Sequence, residues 1–369
     1  MAGVSGHGRA RRWAVVAALA AVLCALPGVV GALPAEDSDV SATDLRDAVL
    51  ASAGVGFSGY AVSAGGLALP VGGQLPAVAD LLSDRVRLRV WWRGADEHRV
   101  DVVTAAGETG VHVDAGGTWT WEYESATAER TGPAPLALPA PPDLVPAALG
   151  RRLLSEAADG ELSRTGARRV AGRDALGLRL VPAEPASSVA RVDVWADAAT
   201  GLPLAVEVVA DGASAPALDT RFLDLDLAVP PAGVVAFTPP PGARVRPGRD
   251  DGGLLEEAGR RLAPVDLPAE LAGLPRRGLA GAPAAVGLYG RGVTLLAVAP
   301  LPGRVAGGLQ SAVRAAPDAV VDRLGARLAA GPLGLMLVER PGSGTYVLTG
   351  TVTLDALAEA ARQLPGGAP

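Results

Sequence analysis

The sequence predicts a mostly β fold of the α+β kind, in which a large antiparallel sheet of about eleven strands precedes a smaller α+β domain. Two observations predict it. Apolar and polar residues alternate with period two in one short run after another between residues 57 and 228, as they do in half-buried strands. Short turns that contain glycine separate the runs, whereas parallel strands would need crossovers of about a dozen residues.

Residues 1–35 are predicted to be an export segment. A cluster of arginines (Arg9, Arg11 and Arg12) precedes an uncharged stretch, and small residues after Pro27 offer cleavage sites behind Ala32 or Ala35. The uncharged stretch is also long enough to span a bilayer, so the segment is either a cleaved signal peptide or an N-terminal membrane anchor. In both cases the arginines stay inside, and we expect the rest of the chain outside the cytoplasm, secreted or anchored.

The alternation predicts eleven strands, at residues 57–63, 86–93, 97–103, 108–114, 118–123, 126–131, 161–168, 171–181, 189–196, 203–210 and 218–228. In three of them, large apolar side chains recur at every second position and therefore share a face of their own strand. We expect these three sets to line one apolar, concave face of the sheet and to form a ligand-binding surface. They are Val86, Leu88, Val90, Trp92, Trp119, Trp121, Tyr123, Leu176, Leu178 and Leu180.

An apolar sheet face has to be covered, and helices inserted between the strands are the available cover. The pattern predicts helices at 44–53 and 143–158, the second with a stripe of leucines and with Pro146 in its first turn, and a helical turn at 78–82. Eleven strands supply more apolar surface than short helices can cover. The sequence therefore leaves two alternatives open, a gap suited to acyl chains and a fully packed core.

Composition changes divide the exported part into domains. The sheet domain is predicted at 36–240, a Pro- and Gly-rich linker at 241–265 and a small α+β domain at 266–369. Within the small domain, strands are predicted at 284–289, 294–300, 333–340 and 345–350, helices at 320–330 and 354–363, and a docking segment or short helix at 267–274.

The reactive side chains argue against an enzyme. Cys24, inside the export segment, is the single cysteine and the chain has no lysine, which excludes thiolate, P-loop and Schiff-base chemistry from the exported part. His98 and His112 fall at strand positions where structural roles are more common. Asp224 and Asp226 form a carboxylate pair, but their alternation with leucines favours a solvent-facing strand. We therefore expect no catalytic residue, no metal and no cofactor, and the net charge of −6 argues against nucleic-acid partners.

Several segments resemble a known fold. The run 88–94, followed by 99–103 and 119–121, resembles the first strands of the lipoprotein-carrier fold, which occurs in LolA-like carriers and in the MucB/RseB group of sigma-factor regulators. Residues 191–204 resemble the "strand, Asp, turn, Gly-Leu-Pro, strand" element of the same proteins, and 221–224 the strand that follows it. LolA-like carriers have a single domain, so the second domain favours the MucB/RseB group. Residues 286–290 and 349–352 are similar to parts of that group's C-terminal domain.

This resemblance implies a half-barrel with helices in its concavity. It also implies recognition of lipid or lipoprotein-like ligands outside the membrane, and restraint of an anti-sigma factor by binding its extracytoplasmic segment. No catalytic residues come with it. Two alternatives remain open from the sequence: a lipid or lipoprotein carrier without a signalling role, and a cell-envelope hydrolase that uses acidic residues.

Overall fold

The computed structural model describes residues 12–17, 19, 34–67, 81–82, 85–104, 107–132, 139–248, 267–278, 285–340 and 344–365. These residues form two β-sheets, one of twelve and one of eight strands, together with a few helices. The fold is mostly β, as the alternation predicts. Most of the predicted export segment and most of the turn expected at 78–82 lie outside the described residues.

The first sheet contains all eleven predicted strands, in the order β12-β6-β5-β4-β3-β2-β1-β11-β10-β9-β8-β7. The first strand pairs with the eleventh, so that the beginning and end of the domain meet in the middle of the sheet. The elements are α1 (Ala42–Ala51), β1 (Phe57–Gly65), β2 (Arg85–Gly94), β3 (Glu97–Val103), β4 (Glu108–Asp114), β5 (Gly117–Glu122), β6 (Thr127–Thr131), α2 (Pro146–Leu154), β7 (Leu162–Val170), β8 (Arg173–Leu180), β9 (Val189–Asp197), β10 (Pro203–Ala210), β11 (Leu218–Asp226), α3 (Ala232–Val235) and β12 (Arg244–Pro247).

The twelfth strand falls where the sequence predicts the start of the linker. β12 pairs with the edge strand β6 and is parallel to it, whereas every other pair in this sheet is antiparallel. All four residues of β12 are exposed, so no apolar alternation marks them as a strand. The segment pairs because the backbone groups of an edge strand offer hydrogen bonds to any extended neighbour. The domain boundaries themselves stay a prediction.

Helix α2 is shorter than the helix predicted at 143–158. Residues 141–144 form a separate 3-10 turn, and Val145 is extended, because the residue before a proline is kept out of the helical region. Pro146 then starts the helix, where a missing N–H leaves no bond unmade. Gly150 lets the helix approach β10 closely, since a Cβ there would lie 2.7 Å from Cβ of Pro203.

The second sheet has the order β13-β14-β15-β16-β20-β19-β18-β17. One helix packs on each face of this sheet, and the larger of the two apolar clusters contains Tyr289, Met336, Tyr346 and Leu357. The elements are β13 (Glu270–Leu271), β14 (Leu274–Arg277), β15 (Gly287–Arg291), β16 (Thr294–Leu301), α4 (Gly303–Ala315), β17 (Val320–Asp322), β18 (Gly325–Ala330), β19 (Leu333–Arg340), β20 (Gly344–Gly350) and α5 (Leu354–Gln363).

Two expectations for this domain are wrong, and one helix is not predicted. Residues 320–330 form the β17–β18 hairpin and not a helix, because Gly325 turns the chain with a φ of 146° and every second side chain after it is buried. Helix α4 is absent from the sequence prediction because Gly307 and Gly308 lower its helix propensity. Residues 267–274 contribute to β13 and β14 and form neither a helix nor a separate docking segment.

The two sheets contact each other through their backbones. Ser187 and Val352 form an isolated antiparallel bridge. Next to it, the amide of Ser188 donates to the carbonyl of Thr351 at 3.2 Å, and the amide of Thr353 donates to the carbonyl of Ala186 at 2.9 Å. These bonds anchor the second domain beside the start of β9.

In the part of the chain that the structure describes, no helix has both the length and the apolar character needed to cross a membrane.

Candidate ligand-binding site

We call the side of the first sheet against which α1 and α2 pack the inner face. Residues directly opposite each other on antiparallel strands point to the same side, so the pairing shows which residues belong to it. A continuous series of opposed residues crosses the sheet from β8 to β2: Leu178, Val194, Val206, Thr220, Ser63 and Val86. Seven of the ten predicted site residues therefore share the inner face, namely Val86, Leu88, Val90, Trp92, Leu176, Leu178 and Leu180.

The inner face is filled by the protein's own helices. Its seven predicted residues are at most 6% exposed. Val145 and Ala147 pack into one apolar cluster with the residues of β2, while Leu149 and Leu154 of α2 join α1 in a second cluster over β8. Beneath α1 and α2, the described residues show the packed alternative of the two left open by the sequence. A ligand that reaches this face has to displace α2.

Trp119 and Trp121 do not lie on the inner face, so this part of the prediction is wrong. The series of opposed residues that starts at Val90 on β2 passes through β3 and β4 and ends at Thr120 on β5. Because neighbours along a strand alternate, both tryptophans point to the opposite, outer face. Phe237 packs against them there, with ring centroids 5.7 and 5.8 Å from those of the two indoles.

Tyr123 is also misplaced in the prediction, because it follows the end of β5 and is exposed. Its hydroxyl accepts a hydrogen bond from Nη2 of Arg99, at 3.0 Å on the outer face. His112 lies on that face too, donates from Nδ1 to the carbonyl of Val235 at 2.9 Å and packs against Phe237. Residues 231–237 thus form a strap that covers the outer aromatic side chains.

At one edge of the inner face, beside the ends of α1 and α2, lies a cation without a carboxylate partner among the described residues. The guanidinium of Arg151, on α2, is 5.8 Å from the ring of Trp92. Its polar contacts are long, at 3.4 Å to Oγ and 3.5 Å to the carbonyl oxygen of Ser52. Burial lowers the pKa of Arg151. Two further polar atoms nearby, Nε1 of Trp92 and Nε2 of His98, are buried and make no hydrogen bond within the described part of the chain.

The second domain holds the segment that follows α2. Arg291, at the tip of the β15–β16 hairpin, makes two 2.9 Å hydrogen bonds to the buried carboxylate of Glu161. Arg277 does the same to Glu156 at 2.7 and 2.6 Å, and the amide of Gly292 adds a third bond to that carboxylate. The hydrogen bonds from Arg277 and Gly292 lower the pKa of Glu156. Because Glu156 lies two residues after α2, these hydrogen bonds attach the end of the covering helix to the second domain.

The element at 191–204, which carries part of the family resemblance, is organised around Asp197. This carboxylate accepts hydrogen bonds from Nε of Arg173 at 2.5 Å and from the amide and hydroxyl of Thr200, both at 2.9 Å. Gly201 completes the turn at a φ of 70°, and a Cβ there would lie 2.4 Å from the carbonyl oxygen of Ala48 on α1. The element therefore seats α1 against the sheet and has a structural role.

The two carboxylates considered for hydrolysis lie at the protein surface. Asp224 and Asp226 are both exposed near the end of β11. Across the described residues, no group of three or more His, Cys, Asp or Glu side chains is arranged to hold a metal ion. Nothing in the arrangement of these two carboxylates favours the hydrolase alternative.

Both buried histidines should make the protein less stable in mild acid. Burial lowers the pKa of His98 and of His112, although their bonds to backbone carbonyls oppose the effect. The unfolded chain, with a histidine pKa of about 6.5, then binds protons that the folded chain does not, so protonation favours unfolding. We expect the free energy of unfolding to fall as the pH drops from 6.5 towards 5, measured by urea unfolding at each pH.

The control for this prediction is the double variant His98→Gln, His112→Gln, whose stability should be nearly constant over the same range. Loss of stability below pH 4.5 should persist in the variant. Burial opposes ionisation of Glu161 and Asp197, but hydrogen bonds from Arg291 and Arg173 outweigh it and lower the pKa of each carboxyl. An equal pH dependence of wild type and variant between 6.5 and 5 would contradict the assignment to the histidines.

Four residues that are prominent in the structure are not marked out by the sequence pattern. Phe237 follows the last strand in a proline-rich stretch, so no periodicity marks it as a cover for Trp119 and Trp121. Glu161 and Arg291 are far apart in the chain, and only the contact between the domains pairs them. Arg151 is one of two adjacent arginines on α2, and the leucine stripe of that helix was the available signal that one of them faces inward.

No protein-family model matches the sequence, and no curated protein matches it either. Among solved structures, the chain is similar to MucB in the MucA/MucB complex of Pseudomonas aeruginosa, with 18% identity, 89% of this chain and 99% of that chain covered, and a TM-score of 0.50. A second structure of MucB, in complex with MucA(peri), has the same identity and coverage and a TM-score of 0.47. A LolA superfamily protein from Nitrosomonas europaea is 10% identical, with 54% of this chain and 98% of that chain covered and a TM-score of 0.24.

At this level of identity the similarity concerns the fold. It spans both domains, because the match covers nearly all of the MucB chain and most of this one. The resemblance predicted from the residues is therefore confirmed at the level of the fold: the chain has the two-domain fold of MucB.

Proposed function

We propose that this chain is an exported, non-enzymatic regulator that binds the extracytoplasmic segment of an anti-sigma factor. The observation that carries the proposal is the two-domain MucB fold, since the similar structure is that of MucB bound to a protein partner, MucA. The scarcity of nucleophilic and metal-binding side chains in the exported sequence supports a binding function.

We further propose that the first domain takes a lipid or acyl-chain ligand on its inner face. This face is apolar across several strands except at Ser63 and Thr220, and it is covered by α1 and by α2, a short helix with a proline at its start. The site residues are Val86, Leu88, Val90, Trp92, Leu176, Leu178 and Leu180. A ligand can then bind there only if α2 moves away from the sheet. Because Glu156 and Glu161 connect that helix to the second domain, ligand binding would change how the domains contact each other.

The partner is tested with the extracytoplasmic segment of a single-span anti-sigma factor encoded beside this gene. We expect calorimetry to give a Kd of about 1 μM or tighter for the full chain. The regulatory proposal would be overturned if the segment did not bind at about 100 μM to a chain that circular dichroism shows to be folded.

The ligand is tested by mass spectrometry of lipids that co-purify with the chain. We expect acyl lipids in wild type and none in Leu178→Asp, with Leu223→Asp as the matched control because Leu223 is exposed on the same sheet. Lipid retained by a folded Leu178→Asp protein would overturn the inner-face site. Lipid binding without partner binding would indicate a carrier.

A further inference from the structure

The cation at the edge of the inner face is unusual among the arginines of the first domain. Arg46, Arg99, Arg152, Arg164 and Arg179, for example, each pair with a carboxylate. The side chain of Arg151 is largely withdrawn from water, yet none of the described carboxylates lies within 4 Å of it. Withdrawing a charge from water without a partner is costly, so such a group is expected to meet an anion in some state of the protein.

The polar atoms beside Arg151 strengthen this argument. The ring of Trp92, which lies 5.8 Å from the guanidinium, is stacked on the ring of His98 with centroids 4.1 Å apart. Nε1 of the indole is a hydrogen-bond donor, and it is buried without an acceptor in the described part of the chain. An oxygen-rich anion would satisfy the guanidinium and the indole together.

Apolar surface begins directly behind these polar atoms. The indole of Trp92 stacks on Phe57, with centroids 5.9 Å apart, and Phe57 meets Phe222 edge to face at 5.4 Å. Positive charge at an edge with aromatic and aliphatic side chains behind it matches an amphiphile with an anionic head and an acyl tail. A neutral lipid would fill the apolar part and leave the cation unpaired.

We infer that the edge of the inner face at Arg151 and Trp92 binds the phosphate-type headgroup of an anionic amphiphile. The inference rests on the proposed lipid ligand and specifies its charge. Arg151 is then a specificity-determining residue, which distinguishes acyl ligands by their heads, and it is carried by the same helix that has to move when a ligand enters.

The test uses two ligands that differ only in the phosphate: lauroyl lysophosphatidic acid and monolaurin, both below their aggregation concentrations. Calorimetry with the full chain should show the anionic ligand binding about tenfold or more tightly, the usual effect of a charge-assisted hydrogen bond. Arg151→Met, which keeps an apolar stem, should remove that preference and leave monolaurin binding within about twofold. Arg151→Lys should retain part of the preference.

Arg152→Met is the matched control, because Arg152 is the next residue on the helix, is 58% exposed and pairs with Asp143. It should leave both affinities unchanged. Thermal melting of all variants distinguishes a structural role of Arg151 from a role in ligand binding. If Arg151 only caps α1, its replacement would lower the melting temperature and leave the preference between the two ligands unchanged. Equal affinities of wild type for the two ligands, or a preference that survives Arg151→Met, would overturn the inference.

Three outcomes distinguish this inference from the alternatives. If glycerol 3-phosphate binds as tightly as lysophosphatidic acid, the site takes a free phosphate ester and the amphiphile assignment is wrong. If neither acyl ligand binds wild type, the lipid part of the proposed function fails together with the inference. Binding of monolaurin without any preference for charge leaves the proposed function intact and removes the inference alone.

Discussion

Truncating Trp92 to alanine should destabilise the first domain by about 3–5 kcal/mol, as expected for deleting a fully packed indole. The side chain is 3% exposed and lies between Phe57 and His98, with ring centroids at 5.9 and 4.1 Å. Helix α2 closes the site, so a cavity left there can collapse only by moving that helix. All tryptophans after the export segment belong to the first domain, so urea unfolding followed by tryptophan fluorescence reports on this domain.

Trp91 gives the matched control, because it is the preceding residue on the same strand and points to the outer face. It is only partly buried and packs against the guanidinium of Arg99, 4.8 Å from the ring. Trp91→Ala should cost about 1 kcal/mol. Equal losses in the two variants, or a larger loss for Trp91→Ala, would contradict the assignment of β2 to its two faces.

Replacing Asp197 by alanine should cost about 3–5 kcal/mol, because it leaves the donors of Arg173 and Thr200 without their acceptor. The carboxylate is 2% exposed, and it holds the turn that seats α1 through Gly201. Asp197→Asn keeps one acceptor oxygen and should lose less, about 1–3 kcal/mol. Both values come from urea unfolding at pH 7.

Asp224→Ala is the control for the loss of a carboxylate, since Asp224 is exposed on β11. It should change stability by about 0.5 kcal/mol or less. At pH 3 the difference between wild type and Asp197→Ala should shrink, because the carboxyl of the unfolded chain, with a pKa of about 3.9, takes up a proton before the folded one, whose pKa is lowered by Arg173 and Thr200. A difference that is the same at pH 7 and pH 3 would show that the carboxylate charge contributes little.

The strands of the first domain could be predicted because each one repeats the same local signal. In β2 the alternation places Leu88, Val90 and Trp92 on one side and their neighbours on the other, and the structure follows it. The same holds for Leu176, Leu178 and Leu180 on β8. Such a pattern depends only on the period of an extended chain, which is fixed by backbone geometry.

The relation between distant strands could not be predicted in the same way. Trp119 and Trp121 alternate as regularly as the residues of β2, yet they lie on the other side of the sheet. Which side a strand presents is decided by the register of every hairpin between it and its reference strand, and a shift of one residue reverses all of its side chains. The lengths of the connections at 95–96, 104–107 and 115–116 set this register, and the alternation itself carries no information about it.

The sequence by itself determined the alternating strands, the two-domain order, the shortage of reactive side chains and the resemblance to the MucB/RseB group. Each follows from residue types and short-range spacing. The tertiary structure alone decided that Phe237 covers the outer tryptophans, that Arg291 pairs with Glu161 across the domains and that Arg151 faces the inner side without a carboxylate. These contacts join residues far apart in the chain, and the physical reason is that burial and charge pairing depend on distances in space, which local periodicity does not fix.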